Sequence, residues 1–298
     1  MDETDVLIIK ELAIDARLPY RDLADRLSLS VNGLHKRIQQ LISKGIIVGF
    51  RANITPLVTG GSVIGLCGRS SSTDLSATIE HLGGHECTAR VIATGGQFLY
   101  VDAFLRNNQE LFDYQSFARE VGKIDDLKTL ALFTIGEPPS KDPLTKLDYR
   151  IVRALSDDCR RPLQEVAADI GSTAKTVKRR IEHMEANHYV SFNIDLILCS
   201  SGDLISIVHA KLRPDRRLED MFPVLINRKD PHTLGISASN VEPGMMIFSM
   251  WARDLKELRE AERSLNSGDD FESMFSNLYY DMRIYPTWSK KLVEARAK

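Results

Sequence analysis

Two short stretches of the chain carry side chains able to read a nucleic acid. In the first, Asn32, His35, Lys36, Arg37 and Gln40 lie between Ser30 and Gly45. In the second, Lys175, Thr176, Lys178, Arg179 and Arg180 follow Thr173. Asparagine and glutamine match the donor–acceptor edge of adenine, and lysine and arginine pair with guanine or with phosphate. These groups act together only if one element holds them in a row. The spacing predicts a helix in each case. Ser30 is the expected N-cap and Gly45 the left-handed exit. Val31, Leu34, Ile38, Leu41 and Ile42 make one apolar stripe; Ala174, Val177, Ile181 and Met184 make the other. Gly33 sits inside the first helix, where it costs about 1 kcal/mol against alanine. It is either simply tolerated there or gives room for a backbone to approach. The candidate DNA contacts are therefore Ser30, Asn32, Gly33, His35, Lys36, Arg37 and Gln40 on one helix, and Thr173, Lys175, Thr176, Lys178, Arg179 and Arg180 on the other. Arg37 and Arg180 read equally well as bonding within their own modules. An amphipathic helix alone reports only packing, so the surrounding elements have to decide.

Upstream, Asp5, Ile8, Ile9 and Leu12 begin a helix that Asp2 can cap, and Asp15 to Pro19 breaks it. Tyr20 to Leu27 is a short second helix with Leu23, Ala24 and Leu27 facing inward. Ile46-Ile47-Val48 after Gly45 opens a β-wing. Helix, short helix, tight turn, helix and wing is the winged helix-turn-helix order. An offset of 143 residues brings a second copy into register without gaps. Asp5, Leu12, Arg17, Pro19 and Arg37 then meet Asp148, Leu155, Arg160, Pro162 and Arg180, so the architecture is a repeat. His188 stands where Gly45 was, and Asn187 is the expected source of the second turn.

The first module resembles the leucine-responsive/AsnC (feast/famine) regulators at Asp5, Ala16-Arg17, Leu23-Ala24, Leu29-Ser30, Leu34, Arg37-Ile38, Leu41, Gly45-Ile46-Ile47 and Gly49-Phe50. That resemblance covers residues 1 to about 60. It implies transcription regulation, a ferredoxin-like partner domain and a ligand near the hairpin between the second and third strands of that domain.

The segments after each winged helix follow one plan. Ser62–Cys67, a helix capped by Thr73, Glu86–Thr94, a turn at Gly95-Gly96, Gln97–Leu105, Asn108–Val121 and Leu127–Ile135 read as β-α-β-β-α-β. Leu204–Leu212, Arg216–Asn227, His232–Ser237, Met245–Ala252, Leu255–Asn266 and Ser273–Tyr285 repeat it. The predicted fold class is α+β, with tandem winged helix-turn-helix and ferredoxin-like domains packed as a pseudo-dimer in one chain. The expected domains are 1–60 (winged helix), 61–136 (ferredoxin-like), 137–143 (linker, Pro- and polar-rich), 144–198 (second winged helix) and 199–298 (second ferredoxin-like). Val101, Ala103 and Leu105 form an apolar strand face that is expected to seek cover from the second copy.

Composition sets bounds. The chain has 298 residues, 27% charged and 43% hydrophobic, with a formal net charge of −2. It has no global basic field, so DNA contact must come from local patches. Cys67, Cys87, Cys159 and Cys199 form no C-x-x-C pair, and four reduced thiols are expected. No apolar run reaches the ~20 residues of a membrane span, and a cytoplasmic protein is expected. His81, His85 and Cys87 match no metal spacing. Gly60-Gly61, Gly65 and Gly68 are not a dinucleotide loop. Met245, Met246 and Met250 beside Trp251 read as strand core.

The effector hairpin departs from the family pattern. Gly95, Gly96 and Gln97 keep the glycine and lose the acid, and they are the tentative ligand contacts. Siroheme decarboxylases share the two-module plan and are expected to bring His and Arg to this hairpin. Gly95–Leu105 and Val241–Trp251 contain neither, so the sequence reading is a regulator and not an enzyme. A protein-binding role for the winged helices is the third reading, opposed by the basic second helix. Double-stranded DNA is the expected partner. An effector and further self-association are left open, and no cofactor, metal or membrane is expected.

Overall fold

The computed structural model describes residues 1–107, 109–134, 141–226 and 230–298. The first winged helix comprises α1 (Glu3–Ile14), α2 (Tyr20–Arg26), α3 (Val31–Ser43) and β1 (Ile47–Ile54). Asp2 and Asp5 form a reciprocal capping box at the start of α1, which satisfies two otherwise orphaned amides. The first ferredoxin-like half is β2 (Ser62–Arg69), α4 (Leu75–Gly83), β3 (Thr88–Thr94), β4 (Phe98–Leu105), α5 (Glu110–Gly122) and β5 (Lys128–Thr134). Asp74 caps α4 in place of the expected Thr73, its carboxylate accepting from the Ala77 amide. The join expected at 137–143 falls largely outside the described residues.

The second winged helix repeats the first as α6 (Lys146–Leu155), α7 (Leu163–Asp169), α8 (Ala174–Ala186) and β6 (Val190–Leu196). The second half follows as β7 (Leu204–Leu212), α9 (Leu218–Ile226), β8 (Thr233–Ala238), β9 (Met245–Ala252), α10 (Leu255–Leu265), β10 (Phe271–Ile284) and α11 (Trp288–Arg296). His188 itself takes the left-handed conformation of Gly45, with φ 56° against 68°, so Asn187 does not supply that turn. Asn187 instead donates its side-chain amide to the His183 carbonyl.

The halves form a pseudo-dimer with two shared layers. The wings β1 and β6 pair antiparallel, and one apolar core runs through both winged helices. The other eight strands form one sheet in the order β5-β2-β4-β3-β10-β7-β9-β8. β10 is 14 residues long because it serves both halves: Phe271 to Leu278 pair with β7, and Tyr279 to Ile284 pair with β3.

This sheet is curled. Tyr100 on β4 and His209 on β7 are three strand spacings apart, about 14 Å along a flat sheet. Yet the Tyr100 hydroxyl and His209 Nε2 lie 2.7 Å apart. The half-sheets therefore face each other over Cys67, Ile92, Tyr100, Ile207 and Met282. The expectation for Val101, Ala103 and Leu105 is corrected here. These three pack under their own helices with Ile79, Leu82, Tyr114 and Ala118. The alternate face, with Tyr100, meets the second half.

Candidate nucleic-acid interface

α3 and α8 are built alike. The Ser30 hydroxyl accepts from the Gly33 amide at 3.1 Å, and the Thr173 hydroxyl accepts from the Thr176 amide at 3.1 Å. A Cβ on Gly33 would stand 3.0 Å from the Ser30 hydroxyl, yet Thr176 holds the equivalent place in α8 with the same cap, so the cap itself does not require the glycine. Leu34, Ile38 and Leu41 are buried under α3, and Val177, Ile181 and Met184 under α8. That burial turns Asn32, His35, Lys36, Gln39 and Gln40 outward on α3, and Lys175, Lys178 and Arg179 outward on α8. Thr176 is half-buried beside its cap. His35 meets the Tyr20 ring edge-on at 5.9 Å, which fixes the imidazole against α2. Lys178 has Glu182 one turn on, at 3.7 Å between exposed groups, where solvent leaves such a pair weak.

Arg37 and Arg180 each bond to carboxylates of their own module. Arg37 donates to Asp2 at 2.7 Å and to Asp5 at 2.8 Å. These hydrogen bonds raise its pKa above the ordinary value. Arg180 donates from Nε to Asp148 at 2.6 Å and makes a second contact with the same carboxylate. Asp148 is fully buried and also accepts from the Thr145 amide at 2.8 Å and hydroxyl at 2.7 Å. Burial pushes the Asp148 carboxyl up, but the bonds from Arg180 and Thr145 outweigh it and hold it below the ordinary carboxylate value. Of the two readings of these arginines, the structure holds the one in which each ties its third helix to its first.

A surface cleft of about 510 Å³ lies beside α3, bordered by Lys36, Arg37, Gln40 and Lys44 and by Asp2 and Asp5. Lys44 was not singled out from the sequence, because it follows the last helical turn. A second cleft, about 350 Å³, is lined by Thr59, Glu86, Arg106, Trp288, Lys291 and Leu292.

The tentative ligand contacts lie elsewhere. Gly95, Gly96 and Gln97 form a tight turn between β3 and β4, with φ 67° at Gly96 and 60° at Gln97. The Gln97 side chain donates to the Ser72 carbonyl at 3.3 Å, and its own carbonyl accepts from the Ser70 amide. This turn is thus tied to the loop before α4. His85 packs against the Tyr114 and Phe117 rings, and its Nδ1 accepts from the Cys87 amide at 3.1 Å. Met246 and Met250 are core residues, and Trp251 donates to Asp203 at 2.9 Å.

Sequence and fold comparisons agree with this construction. Residues 1–48 match the winged helix-turn-helix DNA-binding family, and residues 144–185 match the AsnC-type helix-turn-helix domain. The HTH-type transcriptional regulator LrpA of Pyrococcus horikoshii is 30% identical over 127 residues, which is 42% of this chain and 89% of that protein. LrpA of Pyrococcus abyssi is 29% identical over the same length, with the same coverage. The chain belongs to the Lrp/AsnC family of transcriptional regulators. Its tandem form is one that known structures also contain. The siroheme decarboxylase NirDL aligns over 99% of this chain and 98% of its own, with a TM-score of 0.57 at 14% identity. That match corrects the expectation that an enzymatic role is excluded, because an enzyme has this fold over its whole length. No helix among the described residues is long and apolar enough to cross a membrane.

Proposed function

We propose that this family member is a sequence-specific regulator that reads duplex DNA with two unlike winged helices. The observation that carries the reading is the solvent-facing row on each recognition helix, while Arg37 and Arg180 are bonded within their own modules. Asn32, His35, Lys36 and Gln40 present amide and cationic groups suited to base edges. Lys175, Lys178 and Arg179 present charge suited to phosphates. Each phosphate neutralised adds about 0.9 to the salt slope of log affinity. Because the readers differ, the preferred site is two unlike half-sites rather than a palindrome.

Binding measured across a salt series tests this. Lys178→Ala with Arg179→Ala is expected to weaken all sequences alike and to lower the slope by about 2. Asn32→Ala with Lys36→Ala is expected to erase preference for the selected site. If neither pair changes binding to any DNA, the winged helices serve something else. A second, enzymatic reading is favoured by the whole-chain likeness in fold to a decarboxylase. A tetrapyrrole absorption band retained by the purified protein would support it. An effector seated between the facing half-sheets is part of the proposal, with Gly95, Gly96 and Gln97 as its contacts.

A further inference from the structure

The two recognition helices belong to one body, and two arginines fasten it. Arg17, in the break after α1, lies over the Phe192 ring of the opposite wing at 5.3 Å and donates to the Cys159 carbonyl. Arg160, its repeat equivalent after α6, lies over the Tyr20 ring at 4.1 Å and the Phe50 ring at 5.6 Å. It donates to the carbonyls of Ala16 and Leu18, the latter at 2.9 Å. The backbone repeats the exchange: the Ala16 amide donates to the Phe192 carbonyl at 3.3 Å, and the Cys159 amide to the Phe50 carbonyl at 2.9 Å. Phe50 and Phe192 both lie in the unbroken antiparallel register of the wings, which runs from Gly49 opposite Asp195 to Ile54 opposite Val190.

An arginine whose donors go to main-chain carbonyls of the other module, while its plane covers an aromatic ring there, resists both sliding and rotation. Each module contributes one. The wings pair between these fastenings, and the shared core lies beneath them.

We infer that Arg17 and Arg160 are positioning residues that lock α3 and α8 at one separation, so that the protein accepts a single spacing between half-sites. The inference rests on the DNA-reading role proposed above. Engaging two half-sites at once raises affinity about 10²–10⁴-fold over one, and the gain vanishes when geometry forbids it. Inserting about half a helical turn, ~5 base pairs, carries one half-site to the far side of the duplex.

Selection of bound duplexes from a random pool by the full chain is the first test. One fixed spacing between the enriched half-sites is the expected result. Enriched half-sites at many spacings would overturn the lock while leaving DNA reading intact. No enrichment of any sequence would overturn the DNA-reading role itself, and the lock with it. The second test uses Arg17→Met with Arg160→Met, which keeps an apolar stem over each ring and removes the donors. On the selected site and its half-turn insertion, the native chain is expected to lose about a hundredfold or more. The variant is expected to show a ratio closer to one. A variant that folds, by its melting transition, and keeps the native ratio would overturn the assignment of the lock to these arginines. If it does not fold, the single variants Arg17→Met and Arg160→Met, read on the same two sites, decide the assignment: a native ratio in both overturns it.

Discussion

Replacing Arg180 with methionine is the sharpest test of how the second winged helix is held. The substitution keeps most of the stem and removes the guanidinium from Asp148, which is 0% exposed. Only Thr145, through its amide and hydroxyl, then remains to satisfy the carboxylate. Removing one partner of a buried ion pair costs about 3–5 kcal/mol, because the other charge is left uncompensated. At about 2–4 °C per kcal/mol for a body of this size, melting is expected about 6–20 °C below native. The internal control is Arg37→Met. Its partners Asp2 and Asp5 are 53% and 16% exposed, so that loss is expected to stay below about 1 kcal/mol. Scanning calorimetry of the three proteins at neutral pH reads both values. The Asp148 carboxyl titrates below its ordinary 3.8 in the fold. Its contribution is therefore complete above that value and is lost as pH falls through the lowered one, and the native–variant difference is expected to shrink in strong acid. Adding Asp148→Leu to Arg180→Met is expected to recover much of the loss. Equal melting of the Arg180 and Arg37 variants would refute the reasoning.

His209 is pushed down to about 4 from 6.5, first by burial and then by the Lys128 charge. The unfolded chain thus binds the extra proton between these values, and stability is expected to fall by about 3 kcal/mol as pH drops from 6.5 to 4. In His209→Gln, urea unfolding across that window should show a flatter dependence. Gly83→Ala is expected to destabilise by about 1–3 kcal/mol despite the better helix propensity of alanine. The new Cβ would stand 2.1 Å from the Tyr285 ring, and thermal melting checks it. His188→Gly is expected to raise stability by about 1 kcal/mol, because φ 56° suits glycine; an unchanged or lower melting temperature would contradict this.

Local features were legible in the sequence because they rest on neighbours within one or two turns. Ser30, Thr173 and Asp2 act as caps where their spacing to the following amides allows it. β7 and β9 lie at their expected bounds, since each is a run of apolar and β-branched residues between turns. The choice of cover for Val101 was not legible, because the alternate face of β4 also carries aromatic rings, Phe98, Tyr100 and Phe104 around Asp102, and alternation does not say which neighbour covers which. α11 was missed: Trp288-Ser-Lys-Lys-Leu-Val-Glu-Ala-Arg has four charged residues among nine, and it is held by a Trp288 bond to the Phe104 carbonyl and by burial of Val293. In the candidate interface, the outward residues follow from helical period alone. The fastening by Arg17 and Arg160 does not, although both positions recur in the repeat, because its acceptors are main-chain carbonyls of the other copy.

The two-way pairing of β10 bears on how the chain reaches this state. β3 waits for its outer partner until nearly the whole length of the chain is available, and such remote pairing makes for slow folding. Meanwhile Thr88–Thr94 stands as a bare strand edge, rich in β-branched and small residues and bearing one charge, Arg90. An edge of that kind is a template for any free strand. A fragment ending before β10 is therefore expected to self-associate through β3, and refolding yield of the intact chain should fall as concentration rises. The same strand that joins the halves is also what keeps each of them from recruiting strangers.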